Sequence, residues 1–221
     1  MEYFSTQRLI VREWTPGDAE DAFAIYGRDE VARWLGAPPH RPVASVEAMR
    51  TSLAATIARN AEHPPYGLWA LELRDTGSVI GAVLLVPLPG DDGQVEIGWH
   101  LNPDHWGRGY ATEAGRGVAG LAFGARGLAE VLAVVYPDNA KSIAVCRRLG
   151  MTHLGQTDRY YGVTLELFRL RNDDAGPGGK APGSGVEHSG TAAMGGLTPV
   201  LAVATLAAAC PALLTGGRDA R

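Results

Sequence analysis

Four stretches of the chain hold residue types at spacings that can do chemistry. The first is "HLNPDHWGRGYATEA", His100 to Ala114, which places Pro103, Gly107 and Gly109 within seven residues and runs straight into helix-forming sequence. A glycine-rich turn at the mouth of a helix makes an anion site. The first-turn N–H groups have no partner inside the helix, and the helix dipole favours negative charge there. Here those groups belong to Tyr110, Ala111 and Thr112. The second stretch, "QVEIGWHL", carries Glu96 and His100, a carboxylate and an imidazole able to move protons. The third, "PDNAKS", carries Asn139 and Ser142, and the fourth, "GQTDRYYG", carries Asp158 beside Tyr160 and Tyr161.

Several chemistries are absent from these stretches. A Walker A loop ends in Gly-Lys-Ser/Thr, and the loop has no lysine. A dinucleotide fingerprint needs a third glycine where Thr112 stands. An ordinary glycine turn remains an alternative. Arg108 can offset a phosphate charge or simply solubilise the loop. Asn139 and Ser142 suit the start of a helix, where either caps bare N–H groups. Glu96 reads either as a base or as a solvated carboxylate on a half-exposed sheet. No Ser-His-Asp or Cys-His arrangement is apparent. His100 and His105 lack a third ligand at metal spacing, so no metal is expected. Cys146 lies among apolar helical neighbours and reads as core, and Cys210 stands far from it, with no disulfide spacing.

The elements that must hold these residues follow from periodicity. "RLIVREW" alternates like a strand. Thr15, Pro16 and Asp18 open a helix over "TPGDAEDAFAIYG". "DEVARWLG" predicts a short helix, and "ASVEAMRTSLAATIARNAEH" a longer one with Val46, Met49, Leu53 and Ile57 on one face. "GLWALELR" and "VIGAVLLVPL" predict a hairpin, and "QVEIGWHL" a period-two strand. A helix over "ATEAGRGVAGLAFGARG", a strand "AEVLAVVY", a helix "NAKSIAVCRRLG" and two closing strands complete an α/β (α+β) order: a mixed sheet with helices on both faces.

The totals set outer limits. The 221 residues are 46% hydrophobic and 20% charged, enough for one domain with a full core. A net charge of -4 and a pI of 5.9 provide no basic field for nucleic acid. The N-terminus lacks a secretory pattern, and two separated cysteines suit a reducing, cytoplasmic setting. Composition changes after Arg171. Residues 172–196 are rich in Gly, Pro and Ser and read as a flexible linker. Residues 197–221 form an apolar, Ala-rich tail. Its stretch from Leu197 to Leu214 reaches the 18-residue minimum for a membrane span, but Pro199 and Pro211 interrupt it. It is read as an appendage outside the domain of residues 1–171, with a docked helix and an anchor as alternatives.

Three stretches in order carry a family resemblance: "STQRLIVREWTPGDAEDAFAIYGRDEVARWL", "VEIGWHLNPDHWGRGYATEAGRG" and "VYPDNAKSIAVCRRLGM". Together they resemble the GNAT N-acetyltransferases, in the branch similar to the ribosomal-protein N-terminal (Rim-type) enzymes, over roughly residues 5–171. The resemblance implies a mostly antiparallel sheet that splays at an acetyl-CoA site. It implies backbone contacts to the pantetheine arm from Trp99, His100 and Leu101. It also implies a pyrophosphate loop over Trp106, Gly107, Arg108, Gly109, Tyr110, Ala111 and Thr112. The family's Gln/Arg-x-x-Gly-x-Gly/Ala pattern has Gly109 and Ala111 in its last two places, but Trp106 departs from Gln/Arg. Asn139 would then touch the coenzyme A arm, and Ser142 would lie near its sulfur.

Acetyl transfer to an amine needs a base, oxyanion stabilisation and a proton for the leaving thiolate. The cofactor supplies the activated acyl group, so no protein nucleophile is required. Glu96 is the expected base and Ser142 the expected donor, with Asp158 and His100 as alternative bases. The acceptor is expected to be a peptide α-amine or a small amine, and the protein a monomer or homodimer with no nucleic-acid partner and no membrane. A non-catalytic acyl-CoA-binding domain is the rival reading.

Overall fold

The computed structural model describes residues 1–90 and 93–174. The expected linker and tail lie, from residue 175 on, outside the described residues. Eight strands form one sheet: β1 (Glu2–Ser5), β2 (Leu9–Arg12), β3 (Gly67–Leu73), β4 (Val79–Pro87), β5 (Val95–Leu101), β6 (Glu130–Val135), β7 (Thr152–Thr157) and β8 (Leu165–Arg171). Their order is β1-β2-β3-β4-β5-β6-β8-β7, and every neighbouring pair is antiparallel except β5 and β6. The sequence predicted seven strands. It missed β1, which is four residues long and largely outside the core. The alternative reading of Glu96 as a solvated carboxylate on a half-exposed sheet does not fit either. Both faces are covered, and Glu96 is buried.

Helices α1 (Ala19–Tyr26), α2 (Asp29–Ala32) and α3 (Val46–Glu62) lie on one face of the sheet. Thr15 and Asp18 open a 3-10 turn ahead of α1, with the Asp18 carboxylate accepting from Thr15 N–H at 2.7 Å and Thr15 Oγ1 at 2.9 Å. Ser45 caps α3 by accepting from Ala48 N–H at 3.1 Å, a contact that contributes about 1 kcal/mol. Ile25, Tyr26, Met49 and Leu53 pack against Ala70, Ala82 and Leu84. The opposite face holds α4 (Tyr110–Gly120), which runs into a π-helical turn at Leu121–Ala125, and α5 (Ala140–Arg148). There Ala114, Val118 and Cys146 pack on Trp69, Val83, Ile97 and Phe168. Alternation along β3 and β4 therefore sends successive side chains into two separate cores.

The feature that matters for function is the join between β5 and β6. They pair through one rung only, Glu96 opposite Leu132. Beyond it the strands part. Backbone of Trp99 to Leu101 thus has β4 on one side and no strand partner on the other. The splay and its parallel geometry place the end of β5, the start of α4 and the start of α5 around one opening.

Candidate active site

Two connected spaces fill that opening. A cleft of about 1370 Å³ runs along Trp99 to Leu101, the loop at Gly107 and Gly109, the first turn of α4 and the first turn of α5. A smaller pocket of about 100 Å³ continues through the sheet. Trp99, His100, Asn139 and Ser142 line both, so they stand at the junction.

The loop before α4 has the left-handed glycine turns that its sequence predicts. Gly107 and Gly109 have φ of +77° and +82°, the left-handed region that favours glycine, and Gly109 is the residue before α4. Trp106 lines the cleft, but its one polar group is turned to the protein. Its indole N–H donates to Leu101 O at 3.0 Å, fastening the loop to the end of β5. The Leu101 carbonyl, one of the backbone groups the resemblance assigns to the cofactor arm, is therefore already engaged. The Lys141 ammonium lies 3.7 Å from the Trp106 ring centroid, bringing a cation from α5 beside the loop. Arg108 is exposed and its side chain is not among the lining residues; its carbonyl accepts from Arg8 Nη1 at 3.0 Å. Arg8 stands in the cleft instead, over the Tyr110 ring and paired with Glu113 at 2.6 Å. Arg116, Lys141 and Arg148 add positive charge along the same wall. Sequence reasoning missed Arg8 because it lies 105 residues before its partner Glu113, and nothing near it in the chain marks it as facing the cleft.

Asn139 caps α5, its side-chain oxygen accepting from Ser142 N–H at 3.1 Å. That contact fixes the backbone of Ser142, which lines both spaces. Gly98, on β5 between Glu96 and His100, is close to Leu84. A Cβ there would sit 3.1 Å from that side chain.

Glu96 is 5% exposed at the base of the small pocket. Burial pushes its carboxyl up to about 7, and a hydrogen bond from Tyr161, Oη to Oε2 at 2.6 Å, partly opposes the rise. Tyr161 has φ of +58° on the turn before β8, an uncommon conformation for a non-glycine residue, and that turn aims its hydroxyl at the carboxylate. The neighbouring Tyr160 points elsewhere, donating to Gln94 Oε1 at 2.5 Å. His100 pairs through Nδ1 with the Tyr26 hydroxyl at 3.1 Å, and loss of water around the ring pulls it down to about 4. A group of that basicity is neutral at pH 7 but a poor proton acceptor. Asp158 is exposed at the end of β7 and lines neither space. Among the described residues no group of three or more His, Cys, Asp or Glu side chains is placed to hold a metal.

Comparison with known proteins now bears on this geometry. Residues 8–152 match the model of the acetyltransferase (GNAT) domain. The chain belongs to the GNAT acetyltransferases. A Bacillus subtilis protein named an uncharacterized N-acetyltransferase, YoaA, is 33% identical over 156 residues, covering 70% of this chain and 85% of its own. Solved structures with the same fold include Mycobacterium smegmatis RimJ in complex with CoA-disulfide. It has a TM-score of 0.66 at 19% identity, covering 77% of this chain and 85% of that one. Another is a ribosomal-protein-S5-alanine acetyltransferase from Vibrio fischeri, with a TM-score of 0.62 at 21% identity, covering 80% and 100%. This GNAT chain is an acetyl-CoA-dependent acyltransferase, with the splayed sheet and helix-mouth loop that the sequence predicted. Among its described residues, no helix is long and apolar enough to cross a membrane.

Proposed function

We propose that this acetyltransferase moves the acetyl group of acetyl-CoA to a primary amine, with Glu96 as general base and Ser142 as proton donor to the leaving sulfur. One observation carries the reading: a buried carboxyl with a raised pKa lines the same small pocket as Ser142, where that pocket meets the cleft headed by α4. The donor molecule supplies a thioester already activated toward attack.

Each step then falls to a residue with suitable geometry. The N–H groups at the start of α4 and the cations Arg8, Lys141 and Arg116 hold the diphosphate end in the cleft. Free backbone on Trp99 and His100 pairs with an extended arm as a neighbouring strand would. An amine arrives mostly as ammonium at neutral pH, since an aliphatic amine has a pKa of about 10.4. Glu96 takes that proton, nitrogen bonds to the acyl carbon, and the carbon–sulfur bond breaks. The second proton that nitrogen sheds after attack passes through the Ser142 hydroxyl to the departing sulfur, which leaves as free thiol beside a neutral amide. A carboxyl poised near 7 is half ionised at the working pH, where a base accepts a proton and still gives it up to solvent.

Release of free thiol from acetyl-CoA in the presence of an amine panel tests the reading. Wild type is expected to release thiol only when amine is present. Glu96→Gln, which keeps the shape and removes the base, is expected to lower kcat/KM by about 10²-fold near neutrality. The deficit should shrink as pH approaches the acceptor's pKa. A deficit constant from pH 6 to pH 10 would assign Glu96 to positioning instead.

A further inference from the structure

The small pocket next to Glu96 also carries information about what the amine is attached to. Its walls are Trp34, Leu84, Val134, Tyr136, Val163 and Leu165 together with backbone of Gly36 and Gly98. Glu96 is the only charged-type side chain among its lining residues apart from His100, which burial keeps neutral at pH 7. The tyrosines already have partners: Tyr161 donates to Glu96, and Tyr136 donates to Gly36 O at 2.5 Å. The second of these bonds ties the loop after α2 to the end of β6 and roofs the pocket. Trp34 lies tilted and His40 edge-on against the Tyr136 ring, at 6.2 Å and 5.6 Å between centroids, and the two brace that roof. Size agrees with the chemistry. At about 100 Å³ the pocket is smaller than the about 150 Å³ apolar cavity that accepts benzene, so the part of the acceptor that it surrounds next to the amine is a few carbons long.

Resting on the reading of this pocket as the acceptor site, we infer that the acceptor is a primary amine carried on a short, uncharged, apolar body. The ammonium meets Glu96. A second ammonium or a carboxylate within a few atoms of it would enter a wall of Val163, Leu165, Val134 and aromatic rings, with no partner for its charge. Diamines, polyamines and amino acids bearing a free carboxylate are therefore poor acceptors. A free alkylamine and the apolar first residue of a peptide share the accepted chemistry.

Three four-carbon probes that differ only at the far end test this: n-butylamine, 1,4-diaminobutane and 4-aminobutanoate. With the full chain and saturating acetyl-CoA, butylamine is expected to show kcat/KM at least tenfold above either charged probe. Calorimetry with coenzyme A present is expected to give the same order of affinities. Val163→Asp, at a half-buried lining position, places a partner for a second cation in the wall. It is expected to shift the diamine-to-butylamine ratio at least tenfold toward the diamine. Comparison of butylamine with an alanyl-starting dipeptide amide separates a free amine from a peptide source, and the alanyl amide is compared in turn with a lysyl-starting one. Either result agrees with the inference provided the alanyl form is the better of the two. A charged probe that equals butylamine, a lysyl peptide preferred over an alanyl one, no binding of butylamine, or an unchanged ratio in a folded Val163→Asp protein overturns it. Glu96→Gln keeps the outcomes apart. If that variant turns over butylamine at the wild-type rate, the base assignment falls while the preference for an uncharged body stands.

Discussion

Replacing Tyr161 with Phe removes one hydrogen bond and little else, and its consequence can be followed from geometry to rate. The hydroxyl sits 2.6 Å from Glu96 Oε2 and donates to it, which favours the ionised carboxylate. A hydrogen bond to a charged group contributes about 1.5–3 kcal/mol net, and about 1.36 kcal/mol corresponds to one pKa unit. Loss of the donor therefore raises the carboxyl from about 7 to about 8–9. At pH 7 the ionised fraction falls from about one half to between about one tenth and one hundredth, so kcat/KM falls by about five- to fifty-fold. Above pH 9.5 the variant is expected to recover to within about twofold of the parent. The ratio of the two pH profiles is the measurement to use, because the acceptor's own ionisation cancels in it. A carbon-13 titration of labelled glutamate follows the carboxyl directly, without turnover. If the acidic limb of the profile and the carboxyl titration both stay where they are in the parent, the hydrogen bond does not set the proton affinity of Glu96 and the reasoning fails. If the titration moves and the profile does not, Glu96 is not the base.

Other perturbations probe the remaining parts of the structure. Gly109→Val forces a β-branched residue into φ near +82° at the mouth of α4 and is expected to weaken acetyl-CoA binding by at least about tenfold by calorimetry, about 1.4 kcal/mol; unchanged affinity in a folded variant removes the loop from the site. Gly117 faces Phe4, and a Cβ there would press into that ring, so Gly117→Val is expected to cost about 1–3 kcal/mol and lower the melting temperature by roughly 2–10 °C; an unchanged melting temperature would show that the β1 strand yields freely. Stability against pH separates Glu96 from His100. Glu96 keeps its proton in the fold up to about 7 but loses it near 4.5 when unfolded, so its contribution falls as pH rises through that window. His100 runs the other way, its contribution growing from pH 4 to pH 6.5. In urea unfolding, the Glu96→Gln curve minus the parent curve is expected to climb by about 3 kcal/mol between pH 4.5 and pH 7; parallel curves would contradict a raised carboxyl.

Residues read from sequence fall into two kinds. Those whose role depends on neighbours within a few positions were legible: the left-handed Gly107 and Gly109 before α4, the Asn139 cap on Ser142, and the Met49–Leu53 face of α3. Those whose role depends on distant contacts were not. The alternation of β5 marked Glu96 and His100 as one face but could not show that α1 and the turn before β8 cover that face, turning a surface carboxylate into a buried one. Tyr161 meets Glu96 across 65 positions of chain, and only the left-handed turn at Tyr161 decides that it, rather than Tyr160, does so. Trp106 broke the family pattern, and nothing local to it announced its bond to Leu101 or the ammonium of Lys141 above its ring. The short β1 lacked the length to show a period at all.

The single rung between β5 and β6 marks where the molecule divides. Strands β1 to β5 come from one continuous run ending at Leu101, and β6 to β8 from another beginning at Glu130. Every other ladder closes within its own run. A backbone cut at exposed Gly127, after the helix that crosses between the runs, would leave each fragment with all of its internal strand pairing. Reassembly would then rely on apolar surfaces, Val131, Ala133 and Phe168 of one piece meeting Ile97, Ala114 and Val118 of the other, with the single Glu96–Leu132 rung and the tyrosine hydrogen bonds to Glu96, Gln94 and Gly36 setting their register. The place where the sheet opens for its ligand is thus also a natural point of division for a two-part complementation reporter.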